Sequence, residues 1–202
     1  FWYHPHHHGS TAVHAGGGAS GMIIVNDAPG SIPAEVAALE EMSFFLQHLN
    51  MPELTAVAQT YEANCQRAGG TAVQCDDPVW ANGATSGTQT NSILTNGMTQ
   101  PVVSLVANRW YRWRIVYAAV DSIIEPSLPG CTVKLLAKDG VYLHEAPRDI
   151  TVGYMAPGNR ADWLVRCPEG THTWSSAARR RLGEQEESGG LEGMGGMEGA
   201  GE

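Results

Sequence analysis

The chain has 202 residues, enough for one or two domains, and 43% of them are hydrophobic, enough for a core. Acidic residues outnumber basic ones 21 to 12, which argues against nucleic acid as a partner, since that needs a basic footprint. No apolar run approaches the roughly 20 residues of a membrane span, and no signal peptide is visible.

The first fourteen residues hold five of the eight histidines: His4, His6, His7, His8 and His14. Imidazole is the commonest protein ligand for copper and zinc. Pro5 has no N–H and favours extended backbone at its neighbour, which argues against a helix here. On an extended chain, residues i and i+2 share a face, roughly 6.6 Å apart. His4 and His6 can therefore face one metal centre, with His8 extending the row. Phe1, Trp2 and Tyr3 are bulky strand formers that can wall such a site. A terminal histidine run also reads as an expression tag, but Pro5 interrupts it and a strand pattern follows directly. A zinc-binding or surface-histidine tract stays open. Gly9 and the run from Gly16 to Gly18 let backbone pass close by, and Met22, Ile23, Ile24 and Val25 read as a buried strand. The chain opens inside a strand pattern without an initiator methionine, which leaves room for an upstream region.

Residues 26–33, with Asn26, Asp27, Pro29, Gly30 and Pro33, form a turn-rich break that reads as a connection between domains. The apolar run 42–49 is expected as a strand, with His48 a structural strand histidine because no second histidine accompanies it. Residues 52–67 read as a helix. Pro52 suits its first turn, Glu53 complements its dipole, and Gly69 and Gly70 stop it. Leu54, Val57, Ala58, Tyr61 and Cys65 share one face, as in a helix packed on a sheet; a partner-binding helix is the alternative.

Residues 71–92 are polar and expected as loop. Strands follow at 92–97, 101–106, 109–117, 132–137, 150–154 and 161–166. Asn108, Asp139, Gly140, Pro157, Gly158 and Asn159 punctuate them. Many short punctuated strands mean a sandwich or barrel. Residues 101–165 are expected as a self-contained antiparallel sandwich with the 52–67 helix outside. Arg112, Arg114, Arg160 and Asp162 make a polar cluster that reads as structural. Arg160 and Asp162, at i and i+2, are placed to pair at the rim. His144 and His172 are isolated and read as surface or loop residues.

From 176 the composition changes to a short basic patch and then to Gly, Glu and Met. Such a tail cannot bury enough surface to offset chain entropy and is expected to be disordered. The cysteines are Cys65, Cys75, Cys131 and Cys167, with no Cys-x-x-Cys pair to suggest a zinc knuckle. Their even number fits two disulfides, Cys65–Cys75 and Cys131–Cys167, in an oxidising compartment; four buried free thiols are the alternative.

Tyr3, His4, Pro5, His6, His8 and Gly9, followed by Gly18-x-x-Gly21 and Ile23, Ile24 and Val25, resemble the second His-x-His motif of multicopper oxidases, of the laccase-like and bacterial kinds. That motif sits where their first cupredoxin-like domain ends. The pair Asn96 and Gly97, the strand 112–116, Lys138, Asp139 and Gly140, and residues 156–162 resemble the second cupredoxin-like domain. The resemblance implies an all-β, cupredoxin-like (plastocyanin-like) Greek-key β-sandwich with one inserted helix. It divides the chain into residues 1–27, the end of a first domain; 28–38, a linker; 39–175, a second domain; and 176–202, the tail.

In that family, four His-x-His-type motifs supply eight histidines to a trinuclear copper cluster. The resemblance makes His4 and His6 ligands of the paired (type 3) coppers. His8 matches a recurrent, non-ligating histidine of the bacterial branch. His14 stands where glutamine is usual, a departure that bears on local hydrogen bonding. Copper is the implied cofactor, and the middle domain of three-domain members carries none. A complete parent would act on phenolic or metal-ion donors and dioxygen, in a secreted, extracellular or periplasmic location.

The family's mechanism takes electrons at a mononuclear copper and passes them along a Cys–His path to the cluster, where dioxygen becomes water. That needs a His-Cys-His segment. The cysteines here are flanked by Asn64 and Gln66, Gln74 and Asp76, Gly130 and Thr132, and Arg166 and Pro168. The first His-Trp-His motif is absent too. The leading expectation is a fragment or truncated relative, inactive alone, with no catalytic residue assigned. Two other readings stay open: a non-enzymatic copper- or zinc-binding protein using His4, His6 and His8, and a metal-free cupredoxin-like interaction module. Residues 1–25 are two strands' worth of an incomplete sandwich, expected to fold back on the second domain or to be poorly ordered.

Overall fold

The computed structural model describes residues 1–50 except 9, residues 91–179 except 121, and the isolated positions 63, 67 and 69. In chain order the strands are β1 (Trp2–Tyr3), β2 (Gly21–Met22), β3 (Glu40–Asn50), β4 (Asn91–Thr95), β5 (Tyr111–Ala118), β6 (Ile123–Ser127), β7 (Thr132–Lys138), β8 (Val141–Tyr142), β9 (Arg148–Asp149), β10 (Arg160–Arg166) and β11 (Ser175–Arg179). Two short helices, α1 (Thr11–Gly16) and α2 (Ala34–Ala37), interrupt the first part.

Period-two alternation in three adjacent strands organises the molecule. β3, β5 and β10 send Phe44, Leu46, Trp113, Ile115, Trp163 and Val165 into one buried cluster. The alternate positions Glu41, Arg112, Arg114 and Asp162 fall on the opposite face. The sheet runs β4-β3-β5-β10-β7-β8, with β9 also pairing β7. Its pairs are antiparallel except β3 with β5, which run parallel from Glu40 opposite Tyr111 to Gln47 opposite Ala118. β5 and β10 place Trp113 directly opposite Trp163.

A second layer closes the core. β6 and β11 form an antiparallel ribbon. Ile124 and Met155 exchange two backbone hydrogen bonds, each 3.0 Å. Between the layers Trp174 meets Phe44, Trp113 and Trp163 at centroid distances of 5.4, 5.4 and 6.1 Å, all tilted or edge-on. Such pairs add about 0.5–1.5 kcal/mol each beyond area burial. At the sheet edge Asn96 takes φ +51 and extends the pairing of β3 with its side chain. Its Oδ1 accepts from Phe45 N at 2.7 Å, and its Nδ2 donates to Ser43 O at 2.9 Å.

The disulfide Cys131–Cys167 forms, with Cα atoms 4.3 Å apart. It continues the β7–β10 ladder one pair beyond Thr132 and Arg166. The proposed Cys65–Cys75 bridge, the 52–67 helix apart from positions 63 and 67, the 71–92 loop as far as residue 90, and residues 180–202 lie outside the described residues, while residues 91 and 92, expected as loop, open β4.

Several expectations are corrected. Residues 101–165 are not a self-contained antiparallel unit, because β3 runs parallel inside the same sheet and β11 completes the second layer. Residues 101–106 form no strand: Val102 is 95% exposed, and Val106 N donates to the Tyr111 hydroxyl instead of to a ladder. Residues 150–154 form no strand either: the chain bends at Thr151 and Val152, and Gly153 passes close against Trp163. Residues 176–179, expected within a disordered tail, belong to β11. β6 was not foreseen, because Pro126 reads as a strand breaker; it is tolerated here on a short ribbon.

Of the expected strand 22–25 only Met22 pairs, with Gly21 beside it, against Trp2 and Tyr3; Ile23, Ile24 and Val25 are exposed rather than buried. Residues 11–16, read as part of a strand region, form α1, ended by the glycines that follow; Gly18 takes φ +93. Residues 1–28 fold back on the sheet. Gln47 Nε2 donates to Gly18 O at 3.1 Å, and Arg114 donates to Val25 O at 3.2 Å.

Candidate metal centre

Local sequence sets the histidine row. β1 pairs with β2, and Phe1 and Ile23 exchange backbone hydrogen bonds of 2.9 Å. Gly21 lies under the Tyr3 ring at this crossing: a Cβ there would fall 2.3 Å from it and displace the ring. Beyond β1, Pro5 keeps the chain extended, and every second side chain shares a face. The rings of His4 and His6 lie 5.8 Å apart between centroids, and those of His6 and His8 5.5 Å apart. The i, i+2 expectation for these three therefore holds in the geometry. His7 takes the other side, with Nδ1 3.2 Å from Ser10 Oγ, while its carbonyl accepts from Thr11 Oγ1 at 2.9 Å.

The remaining histidines stand apart. His14 is in the last turn of α1. His48 is buried on β3 opposite Ile93. His144 is exposed, and His172 Nε2 sits 3.1 Å from Pro168 O. Imidazole nitrogen suits copper or zinc, so His4 and His6 fit such an ion chemically as two donors. Among the described residues, no group of three His, Cys, Asp or Glu side chains converges to hold an ion.

A polar joint fixes the histidine segment to the sheet. The segment that follows β2 crosses the outer sheet face over a cleft of about 290 Å³ lined by Phe1, Arg114, Tyr142 and Arg160 among others. Arg112, only 1% exposed, donates to Asp27 at 2.7 Å, to Glu41 at 3.1 Å, to the Tyr142 hydroxyl at 2.8 Å and twice to Asp162. Tyr142 donates to the other oxygen of Asp27. Burial pushes the Asp27 carboxyl up, but the Tyr142 and Arg112 hydrogen bonds and the charges of Arg112 and Arg114 outweigh it and hold the carboxyl below its usual range. Burial and the hydrogen bond to Asp27 push Tyr142 up to about 12. Burial works against the Arg112 charge, yet its bonds to Asp27 and Asp162 leave it more firmly protonated than usual.

The expected Arg160–Asp162 pair does not form. Asp162 stands opposite Arg114 in the ladder and bonds Arg112. Arg160, at the strand end, turns to Asp139: its backbone N–H donates to Oδ1 at 2.8 Å and its guanidinium donates to the Asp139 carbonyl. Asp27, Glu41 and Tyr142 were missed by sequence reasoning. Glu41 was findable, because it continues the polar alternation of β3, but Asp27 lies in a turn-rich stretch with no period to read.

No protein-family model matches the chain, and no curated protein does. Solved structures match over most of it. Fet3p, described as a multicopper oxidase that functions in iron import, superposes with TM-score 0.62 at 14% identity, covering 88% of this chain and 29% of its own. A multicopper oxidase from Pseudomonas thermotolerans gives TM-score 0.54 at 27% identity, over 84% of this chain and 35% of that one. The chain is multicopper oxidase-like. A laccase-like multicopper oxidase, CueO from Ochrobactrum sp., described with oxidase activity towards lignin model compounds and lignosulfonate, adds TM-score 0.56 at 20% identity, over 84% and 34%. The all-β fold is accordingly cupredoxin-like, and the chain spans about a third of the length of these multicopper oxidases.

Proposed function

We propose that this chain supplies part of the copper centre of a multicopper oxidase, with His4 and His6 as ligands of its paired (type 3) coppers. The observation that carries the reading is the row of His4 and His6 on one face of an extended segment, clasped to a multicopper oxidase-like fold. Residues 1–27 would end a first cupredoxin-like domain, 28–38 link, and 39–175 form a second, which β11 extends to Arg179. Bound copper would supply one-electron redox chemistry. The chain's own contribution is two imidazole nitrogens and a joint, Asp27 to Arg112, that holds them against the sheet.

The parent reaction is copper-dependent oxidation of phenolic or metal-ion donors with reduction of dioxygen to water. Fet3p's function in iron import and the Ochrobactrum enzyme's activity towards lignin model compounds and lignosulfonate are what support these two donor classes as a proposal for the parent. The 202 residues alone turn over no oxygen, because none of the four cysteines is flanked by histidine and one His-x-His cannot hold three coppers. The Cys131–Cys167 disulfide suits a secreted, extracellular or periplasmic setting. The test is oxygen uptake with a phenolic donor and added copper. No uptake is expected; uptake abolished by His4→Ala with His6→Ala would overturn the incompleteness of the site.

One observation favours a second reading. Since no third donor converges on His4 and His6 among the described residues, the isolated chain can also act as a labile, non-enzymatic copper or zinc binder. Binding of Zn(II) as well as Cu(II), each lost in the His4→Ala/His6→Ala variant and with Cu(II) the tighter, would support that reading.

A further inference from the structure

We propose that Trp2 is a positioning residue for the metal ligand His4, and that the turn at Gly158 seats Trp2 for this task. The inference rests on His4 and His6 being copper ligands. The Trp2 indole and the His4 imidazole stack with centroids 3.9 Å apart and planes 11° apart. His6 and His8 meet their neighbouring rings at 57° and 61°, so among the described residues neither is stacked flat on an aromatic ring. His4 is half-buried, whereas His6 and His8 are exposed.

A metal ligand must present its lone pair in the ring plane. Proteins ordinarily fix a ligating imidazole by a hydrogen bond to its second nitrogen. Among the described residues no hydrogen bond reaches either ring nitrogen of His4. The stack takes that role: it fixes the ring plane and leaves both nitrogens open to an ion or a further partner. A ring held in one orientation has less freedom to lose on binding.

The indole is itself held from the sheet side. A Cβ on Gly158 would stand 3.3 Å from Trp2 Cζ2 and 3.4 Å from Nε1, a tight approach, so the ring lies directly against the glycine, whose φ of +79 itself disfavours a side chain. The turn cannot drift easily. Gly158 N donates to Tyr117 O at 2.9 Å, Ala156 N donates to Asn159 Oδ1 at 2.8 Å, and Arg160 donates to Gly158 O at 3.0 Å. The sheet thus reaches His4 through one aromatic ring.

The experiment compares the full chain with Trp2→Phe and Trp2→Leu. Phenylalanine keeps a stacking face, and leucine keeps apolar bulk without one. In the metal-free chain, the His4 ring protons should be shifted upfield by the indole ring current, partly so in Trp2→Phe and not in Trp2→Leu. Copper binding through His4 and His6 should weaken about two- to tenfold in Trp2→Leu, the span expected for one aromatic pair, and stay within about twofold in Trp2→Phe. The electron paramagnetic resonance hyperfine splitting should change only in Trp2→Leu. The proposal is overturned if the wild-type His4 protons show no ring-current shift. It is also overturned if copper still binds through His4 and His6 while Trp2→Leu leaves affinity and spectrum unchanged. A wild-type chain whose copper binding ignores His4→Ala and His6→Ala would instead remove the metal reading, and the positioning role with it.

Discussion

Asp27 and Arg112 are 85 residues apart in the chain, yet the guanidinium of one donates a 2.7 Å hydrogen bond to the carboxylate of the other. Asp27 belongs to the segment that carries the histidines, and Arg112 is buried in the central strand β5. Hydrogen bonds to charged groups contribute about 1.5–3 kcal/mol. Asp27→Ala should lower the stability of residues 1–28 by about that amount while leaving the sheet closed. Amide hydrogen exchange reads this directly: Ile23 should lose protection and Ile115 should not. Equal loss at both positions would mean that the segment is not a separately opening unit.

How far the sequence reached can be judged at this joint. Arg112, Arg114 and Asp162 alternate with core residues, so a shared polar face was legible from period two. The core strands 42–49, 109–117, 132–137 and 161–166 were legible for the same reason, and so was the His4–His6 row. Asp27 was not, because nothing in a turn-rich stretch says which distant strand it will cross. Ile23, Ile24 and Val25 misled, since an apolar run tells of burial only when its neighbours cover it. β11 was hidden by the change of composition beginning one residue after its start, although pairing with β6 depends on backbone groups that composition does not reveal.

The joint should also be sensitive to pH, with a sign fixed by its groups. The Asp27 carboxyl is held below its unfolded value of 3.8, so its stabilisation is present above about pH 4 and is lost as pH falls through the lower folded value. Tyr142 is raised from 10.0 to about 12, so its contribution is complete below pH 10 and is lost as pH climbs towards 12. Protection of Ile23 followed from pH 2 to 12 should form a plateau with a fall at each end. Asp27→Asn should flatten the acid fall, and an unaltered acid limb in that variant would assign it to other carboxylates.

Gly153 offers a steric test of the core. A Cβ there would lie 2.4 Å from Trp163 Cζ2 and 3.2 Å from Pro126, with no positive φ to complicate the substitution. Overpacking of this kind costs about 1–3 kcal/mol. Gly153→Ala should lower the urea midpoint accordingly and alter the near-ultraviolet dichroism of the tryptophans. An unchanged midpoint would show that the segment at Gly153 can move off Trp163.

The Cys131–Cys167 disulfide closes a loop of 36 residues between the ends of β7 and β10. Cross-links of this kind stabilise by about 2–4 kcal/mol. The double serine variant should lose that much in urea unfolding, and added reductant should then shift its midpoint no further through this pair. A variant as stable as the parent would mean that the β7–β10 ladder alone sets the stability of this region.

The central claim is that His4 and His6 are copper ligands, and that this chain holds only part of the centre they serve. Titration of the full chain with Cu(II), followed by electron paramagnetic resonance, tests it most directly. The expected result is a tetragonal single-copper signal that saturates at one ion per chain and disappears in the His4→Ala/His6→Ala variant. A spin-silent, coupled copper pair formed by this chain alone, or a signal indifferent to both substitutions, would contradict it.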